Sequence, residues 1–223
     1  ALRLAMRPPG ARIPVYLAAI GPNNLRLTGE IADGWLGVFC SADHLGEQLA
    51  AIRAGRVTAA DEAAEAAGAG ASGTTGSAPG PGAGATLAGF DVTATVPVVF
   101  GDDPASCGDL VRPYTALYVG GMGSRRRNFY NDLVTRMGFG QAADVVREHY
   151  LAGRHREAAA ALPAALLERT ALLGPVDRVA EGLRRYADAG VTTVAALLVD
   201  SAASGVWTLR RLREALDRSG VGG

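Results

Sequence analysis

The amino-acid sequence predicts an α/β protein in which parallel strands alternate with helices. Four segments are continuous apolar runs, the pattern of strands buried on both faces, and they lie at 13–19, 34–39, 90–100 and 191–199. Helical patterns separate these runs along the chain. Such alternation of strand and helix is typical of βα units whose strands form a parallel sheet.

The helices are predicted from their caps and from apolar periodicity. The clearest spans 176–189, where apolar residues recur at helical spacing, Pro175 opens the helix and Gly190 closes it. A long helical stretch between 104 and about 173 is broken at 120–123, Gly138 and Gly153. The remaining helices are predicted at 23–32, 43–56 and 205–218, the last with Leu209, Leu212 and Leu216 on one face.

The chain length limits the architecture. Its 223 residues suit one domain, and segment 63–88 is almost entirely small or polar, with Leu87 as its one large apolar side chain. We therefore expect 63–88 to be a flexible insertion within a domain that spans 1–223. Because a complete (β/α)8 barrel takes about 250 residues, four βα units predict either a small open sheet or half of a barrel.

Composition excludes several classes of function. The 22 basic residues, all Arg, balance 22 acidic ones, so we expect neither a nucleic-acid partner nor a membrane anchor, and no Lys-based chemistry. Cys40 and Cys107 lack metal-ligand spacing, the three histidines are isolated, and no metal site is predicted. The reduced cysteines and the absence of long apolar stretches predict a cytoplasmic protein.

Two further patterns carry little functional weight. The glycines 68, 70 and 73 match a dinucleotide-binding spacing, but they lie in low-complexity sequence rather than between a strand and a helix. The run Arg125–Arg126–Arg127 suits phosphate or carboxylate groups. A solvated charge run explains it equally simply, and we favour that interpretation.

The strongest functional signal is the turn that follows the first strand. The strand ends in Ala18 and Ala19, and Gly21 and Pro22 lead directly into a helix. Small side chains leave room for a flat ligand, and free amides at a helix N-terminus bind phosphate. An ordinary tight turn fits the same residues, so the turn alone leaves both interpretations open.

Three segments together carry a resemblance to a known family. The run IPVYLAAIGPNNLRLTGEIADGW (13–35) resembles the central signature of the luciferase-like flavin-dependent oxidoreductases, in particular the branch that uses the deazaflavin coenzyme F420. The segments ALYVGGMGS (116–124) and RNFYN (127–131) resemble one subgroup of that branch. LGPVDR (173–178) and AGVTT (189–193) are similar to the closing βα unit.

The resemblance implies a TIM barrel of which this chain carries roughly the C-terminal four βα units, with a helical insertion after the third strand. It implies F420, or alternatively FMN, bound mainly through backbone groups at Ala18, Ala19, Ile20, Gly21, Pro22 and Asn23, with Val38 at the border of the site. It identifies no catalytic residue in this chain, because relatives supply most of those side chains from earlier units.

The sequence thus predicts an oxidoreductase that moves a hydride between F420 and an unknown small organic substrate. The alternatives are an FMN-dependent luciferase-like monooxygenase and a truncated, non-catalytic half-barrel. A homodimer is the candidate assembly.

Overall fold

The computed structural model describes residues 13–70, 86–123, 128–199 and 205–222. Its strands are β1 (Tyr16–Leu17), β2 (Gly34–Val38), β3 (Asp91–Phe100), β4 (Leu172–Gly174) and β5 (Thr193–Leu198). Its α-helices are α1 (Pro22–Ile31), α2 (Leu45–Gly70), α3 (Pro104–Ala116), α4 (Phe129–Val134), α5 (Gly140–Leu151), α6 (His155–Ala160), α7 (Ala164–Thr170), α8 (Val176–Asp188) and α9 (Gly205–Ser219). Two π-helical segments, Leu117–Gly121 and Thr135–Phe139, follow α3 and α4.

The described strands form one parallel sheet centred on β3. Because Thr93 and Thr95 pair with residues of both β2 and β5, these two strands lie on opposite edges of β3. Val98 pairs with both β4 and β5, so β4 extends the edge on which β2 lies. β1 pairs with β2. The spatial order β1-β2-β3-β5 therefore follows the chain order, as in the wall of a (β/α)8 barrel.

Two apolar clusters hold the sheet and the helices together. The outer face of the sheet packs against α1, α2, α8 and α9, and its centre is formed by β3 side chains such as Val92 and Val96. The second cluster lies among the helices inserted between β3 and β4, and it includes Phe39 and Val99 from the strand ends. The insertion helices are thus anchored at the carboxyl edge of the sheet, where ligands bind in barrel enzymes.

The inner face of the sheet carries a polar cluster at its amino-terminal edge. The Asp91 carboxylate accepts hydrogen bonds from Tyr16 Oη and Thr193 Oγ1, each at 3.0 Å, and from the hydroxyl of Thr192. These bonds join β1 and β5 to β3. Beyond this cluster, towards its carboxyl end, β5 is only half-buried.

The first strand and the last helix differ from the prediction. Segment 13–19 was expected to be a buried strand, but β1 has only two residues, and Ile13 and Val15 are 68% and 51% exposed. These side chains are exposed because β1 is at the edge of the described sheet. On α9, Leu212 and Leu216 pack against the core as expected, whereas Leu209 is exposed.

Two other elements also depart from the prediction. α2 was predicted to end near residue 56 but continues to Gly70, since Ala is the strongest helix former and dominates 59–67. The predicted insertion therefore starts inside a helix, and its residues 71–85 lie outside the described ranges. β4 was not predicted, because its three apolar residues are too few for a recognisable strand pattern.

The helix ends were better predicted. α8 closes with two backbone hydrogen bonds, from Gly190 N to Ala187 O and from Val191 N to Tyr186 O, which together form a Schellman motif. Gly190 adopts a positive φ of 95°, the conformation that favours glycine at this position. The predicted breaks at Gly138 and Gly153 also coincide with positive φ angles. Within the described ranges, no helix combines the length and apolar character that a membrane span requires.

Candidate functional site

The turn between β1 and α1 is fixed by buried contacts to β2. The carbonyl oxygen of Ala19 accepts a 2.9 Å hydrogen bond from Trp35 Nε1, and the Trp35 side chain is buried on the outer face of the sheet. Gly21 is the N-cap of α1 with φ −74° and ψ 147°, and Pro22 is the first helical residue. This extended cap conformation is open to any residue, so the glycine is needed for space rather than for its backbone angles.

The N-terminus of α1 offers free backbone donors. Among the described residues no side chain caps this end of the helix, and its first turn contains no acidic residue. The amides of Asn23 and Asn24 at the second and third helical positions therefore remain available, and the helix dipole adds partial positive charge there. This arrangement suits an anionic group such as phosphate.

An aromatic ring from the insertion lies against the same turn. A Cβ atom added at Gly21 would lie 3.3 Å from Cε1 of Phe129, the first residue of α4. Sequence reasoning did not select Phe129 as a site residue, although the segment 127–131 had a family resemblance that could have pointed to it. Gly21 therefore faces a protein side chain as well as the space expected for a ligand.

The start of α4 is held in place by Asn128. Its buried side-chain oxygen accepts hydrogen bonds from the backbone N–H groups of Tyr130 and Asn131, at 2.9 and 3.2 Å. Its Nδ2 donates to the carbonyl oxygens of Tyr118 and Val119, at 2.9 and 3.0 Å. Asn128 thus joins the N-terminus of α4 to the π-helical segment Leu117–Gly121.

The end of β2 leads into a group of aromatic side chains. Phe39 follows Val38 with φ 61°, in the left-handed region that a bulky residue adopts at a cost of about 1–3 kcal/mol. Its ring stacks on Tyr118, with centroids 6.0 Å apart and planes at 4°, and meets Tyr130 edge-on at 6.0 Å. Tyr114 completes the group, 4.7 Å from Tyr118. We call these four residues the aromatic cluster.

Burial shifts the pKa of several groups near this cluster. Desolvation raises the pKa of Tyr130 to about 12 and that of Cys40 to about 12. Desolvation and a hydrogen bond to Tyr118 also raise the pKa of Tyr114. Tyr186, which donates a 2.9 Å hydrogen bond to Cys40 O, has its pKa raised by burial as well. All four groups are therefore neutral at pH 7 and can act as hydrogen-bond donors but not as bases.

The structure gives the predicted site residues different environments. Ala19 is buried, and Ile20, Gly21 and Val38 are half-buried, whereas Ala18, Pro22 and Asn23 are exposed. Because β1 and β2 are neighbouring parallel strands, the β1–α1 turn and Val38 lie at the same edge of the sheet. Val38 also packs against the second apolar cluster, which links it to the insertion helices.

Other sequence candidates contribute no described chemistry. The glycines 68 and 70 lie at the end of α2, and Gly73 and Arg125–Arg126–Arg127 lie outside the described residues. His149 Nδ1 accepts a 2.9 Å hydrogen bond from Arg154 Nε, and the His155 ring packs on Tyr150. In the part of the chain that the structure describes, no three His, Cys, Asp or Glu side chains are grouped so that they could hold a metal ion.

Comparison with known proteins decides the family. A family model described as luciferase-like monooxygenase matches residues 1–193. The chain belongs to this family. A Mycobacterium tuberculosis protein that carries the provisional name coenzyme F420-dependent oxidoreductase Rv3520c is 33% identical over 192 residues, which cover 86% of this chain and 49% of that protein. This luciferase-like chain therefore spans about half the length of the curated relative it matches.

Two solved structures share its fold. One is the coenzyme F420-dependent tetrahydromethanopterin reductase from Methanopyrus kandleri, with 22% identity and a TM-score of 0.61, matched over 82% of this chain and 44% of the other. The second is an F420-dependent secondary alcohol dehydrogenase in complex with an F420–acetone adduct, with 12% identity and a TM-score of 0.61, over 93% and 50%. The predicted fold class is confirmed: the chain is a partial TIM barrel.

Proposed function

We propose that this chain binds the deazaflavin coenzyme F420 at the β1–α1 turn and takes part in hydride transfer between that cofactor and a small organic substrate. One observation carries the proposal: small residues and the uncapped N-terminus of α1 meet at the carboxyl edge of the sheet. The relatives named for F420 support the choice of cofactor.

The residues of the turn suit both the flat ring and the phosphate group of this cofactor. Ala18 and Gly21 present little side-chain volume, which leaves room for a flat ring. The first-turn amides of α1 would hold the phosphate through backbone donors and the helix dipole. The bound cofactor would supply a ring carbon that accepts or donates a hydride. The chain's own contribution is to orient that ring.

The buried side chains around the turn keep its geometry fixed. Trp35 holds the Ala19 carbonyl, and Phe129 covers Gly21 from the side of the insertion. A rigid turn favours binding because less conformational freedom is lost when the ligand docks. The neutral phenol group of Tyr130 adds a hydrogen-bond donor near this edge. The catalytic side chains stay unassigned.

Titration with two cofactors tests the proposal. We expect F420, followed by its own fluorescence, to bind at micromolar concentration or tighter, and FMN to bind at least tenfold more weakly. Tighter binding of FMN would favour the monooxygenase alternative. Binding of neither cofactor would contradict the proposal and favour a non-catalytic half-barrel, an alternative that the half-buried inner face of β5 supports.

A further inference from the structure

The aromatic cluster provides a wall beside the proposed cofactor site. We propose that this wall binds the substrate and selects planar, conjugated compounds that carry a carbonyl oxygen. The inference rests on the proposed function, because it assigns a substrate class to the same site. It is carried by the position of the cluster, by the conformation of Phe39 and by the chemistry of the tyrosines.

The position follows from two consecutive residues of α4. Phe129 lies against Gly21 in the β1–α1 turn, and Tyr130 meets Phe39 and Tyr118 edge-on, with centroid distances of 6.0 and 4.8 Å. Since adjacent residues reach the turn and the cluster, the two lie side by side at the carboxyl edge of the sheet. A substrate beside the cofactor ring would therefore contact the tyrosine rings.

Phe39 adopts an unusual backbone conformation that buries its ring beneath the tyrosines of the cluster. Trp35 and Gly37 of β2 face the outer helices, so continued alternation would direct Phe39 to the same side. The positive φ of Phe39 instead brings its ring into the second apolar cluster, under Tyr118. Strained residues of this kind concentrate at functional sites.

The backbone that carries Tyr118 is also unusual. Tyr118 belongs to the π-helical segment Leu117–Gly121, and π-helical turns often occur at functional sites. Gly120 and Gly121 allow this segment to approach Tyr150, because a Cβ atom at either position would lie within 2.5 Å of the Tyr150 side chain. The segment is thus held from behind by Tyr150 while Tyr118 faces Phe39.

The side chains of the wall determine which ligands it suits. Phe39 is buried, so the surface that a ligand can reach belongs to the three half-buried tyrosine rings, and aromatic surface favours planar conjugated molecules over saturated ones. None of its four residues is charged, so an ionic substrate would find no counter-charge within the cluster. The half-buried, neutral phenol group of Tyr130 can donate a hydrogen bond, and a carbonyl oxygen is the matching acceptor.

Calorimetric binding of 1,4-naphthoquinone tests the inference. We expect Tyr118→Leu, which removes the ring but keeps apolar volume, to weaken this binding at least fivefold, while F420 affinity changes by less than twofold. Tyr118→Phe should retain most of the ring-dependent affinity. The matched control is Tyr16→Leu, which alters an exposed tyrosine at the amino-terminal edge of the sheet and should leave binding of the quinone unchanged. Circular dichroism verifies that each variant folds.

Three outcomes would overturn the inference. They are no binding of 1,4-naphthoquinone to the unmodified protein, equal binding of its saturated analogue decalin-1,4-dione, and equal losses in Tyr118→Leu and Tyr16→Leu. If Tyr118→Leu does not fold, Tyr130→Leu replaces it. Binding of the quinone is measured without cofactor. Failure of F420 to bind would therefore contradict the proposed function, while the quinone measurement would still test the substrate wall by itself.

Discussion

At the scale of single residues, the site depends on how much space Gly21 leaves. Its backbone angles suit any residue, so a substitution there acts through volume and not through backbone strain. The nearest neighbour of an added Cβ is the ring edge of Phe129, which is 38% exposed and belongs to a helix of only six residues. Side-chain volume at Gly21 would therefore compete with both Phe129 and the ligand.

Replacement of Gly21 by Val should weaken F420 binding at least tenfold, equivalent to about 1.4 kcal/mol. The branched side chain would press on Phe129 and fill the space beside the turn, while the extended backbone tolerates it. Fluorescence titration measures the affinity, and urea unfolding measures the smaller loss of stability. Gly46→Val is the matched control, because a Cβ atom at Gly46 has no neighbour within 4 Å. Unchanged affinity in Gly21→Val would show that the turn is not the site.

Asp91 lies at the amino-terminal edge of the sheet, opposite the proposed cofactor site. Partial burial raises the pKa of its carboxyl group, but hydrogen bonds from Thr192, Tyr16, Thr193 and Thr93 outweigh this effect, so the pKa is lowered overall. A carboxylate with a lowered pKa stabilises the fold above its unfolded pKa of about 3.9, and this contribution is lost as pH falls through the folded pKa.

Asp91→Asn should accordingly reduce stability at pH 7 by about 1–3 kcal/mol, the range for hydrogen bonds to a charged group. The difference between the variant and the unmodified protein should shrink as pH falls below the unfolded pKa of about 3.9 and through the lower folded pKa of Asp91. Urea unfolding at pH 7 and pH 3 measures both values. The exposed Asp61→Asn serves as the control and should show no difference at either pH. If Asp91→Asn lost the same amount of stability at both pH values, the charge of Asp91 would not be what stabilises the fold.

At the scale of elements, the insertion between β3 and β4 builds one side of the candidate site. Short helices and two π-helical segments replace the single helix of a simple βα unit. Such short helices gain little stability from their own hydrogen bonds and depend on tertiary contacts. For α4 these contacts include the four hydrogen bonds of Asn128, which also place Phe129 and Tyr130.

Asn128→Ala should reduce stability by about 2–4 kcal/mol, since it removes a helix cap and leaves buried backbone groups without partners. Asp103→Ala, at the exposed N-cap of α3, is the matched comparison and should reduce stability by clearly less. Thermal unfolding of both variants checks the difference. Equal effects would mean that Asn128 contributes no more than an ordinary cap.

Shortening of the Ala- and Gly-rich segment 71–85 should have little effect on the stability of the fold. Arg56 Nε and Nη2 donate hydrogen bonds to the carbonyl oxygens of Thr86 and Ala88, so the chain is tied back to α2 where the described structure resumes. Loop-closure entropy changes by only about 0.6 kcal/mol per doubling of length. Replacement of 71–85 by a short Gly-Ser linker should shift the melting temperature by less than about 2 °C. A larger loss would show that this segment packs on the domain.

At the scale of the whole molecule, the described residues cover the outer face of the sheet fully and its inner face only in part. α1, α2, α8 and α9 cover the outer face, whereas Ile13, Val15 and Tyr16 at the β1 edge are exposed and β5 is half-buried. An exposed apolar edge strand is a template for association with another chain. Within the described residues, the exposed β1 edge and the half-buried β5 distinguish this partial barrel from a closed one.

The isolated 223-residue chain should therefore self-associate at micromolar concentration. Val15→Lys, which places a charge on the exposed edge of β1, should reduce this association, because charged edge residues oppose strand pairing. Sedimentation velocity measures the oligomer distribution. Val57→Lys, at an exposed position on α2, is the control and should not change the oligomer distribution. A monomer with cooperative unfolding would contradict the expectation.

The sequence by itself determined the α/β class, the βα order and the β1–α1 turn. These features depend on local signals: apolar runs for β2, β3 and β5, the stripe of α8 and its closing Gly190, and small residues followed by Pro22. The length of β1 and of α2 was not predictable to the same degree. Exposure of the β1 edge and extension of an Ala-rich helix depend on what surrounds them rather than on the local pattern.

Only the tertiary structure decided which residues share the site. Phe129 lies more than 100 positions from Gly21, and Tyr118 is about 80 positions from Phe39, so no local pattern could pair them. The left-handed conformation of Phe39 was equally hidden, because it reverses the alternation from which strand faces are predicted. These contacts arise because the insertion folds back over the carboxyl edge of the sheet, where packing of distant segments sets the position of each ring.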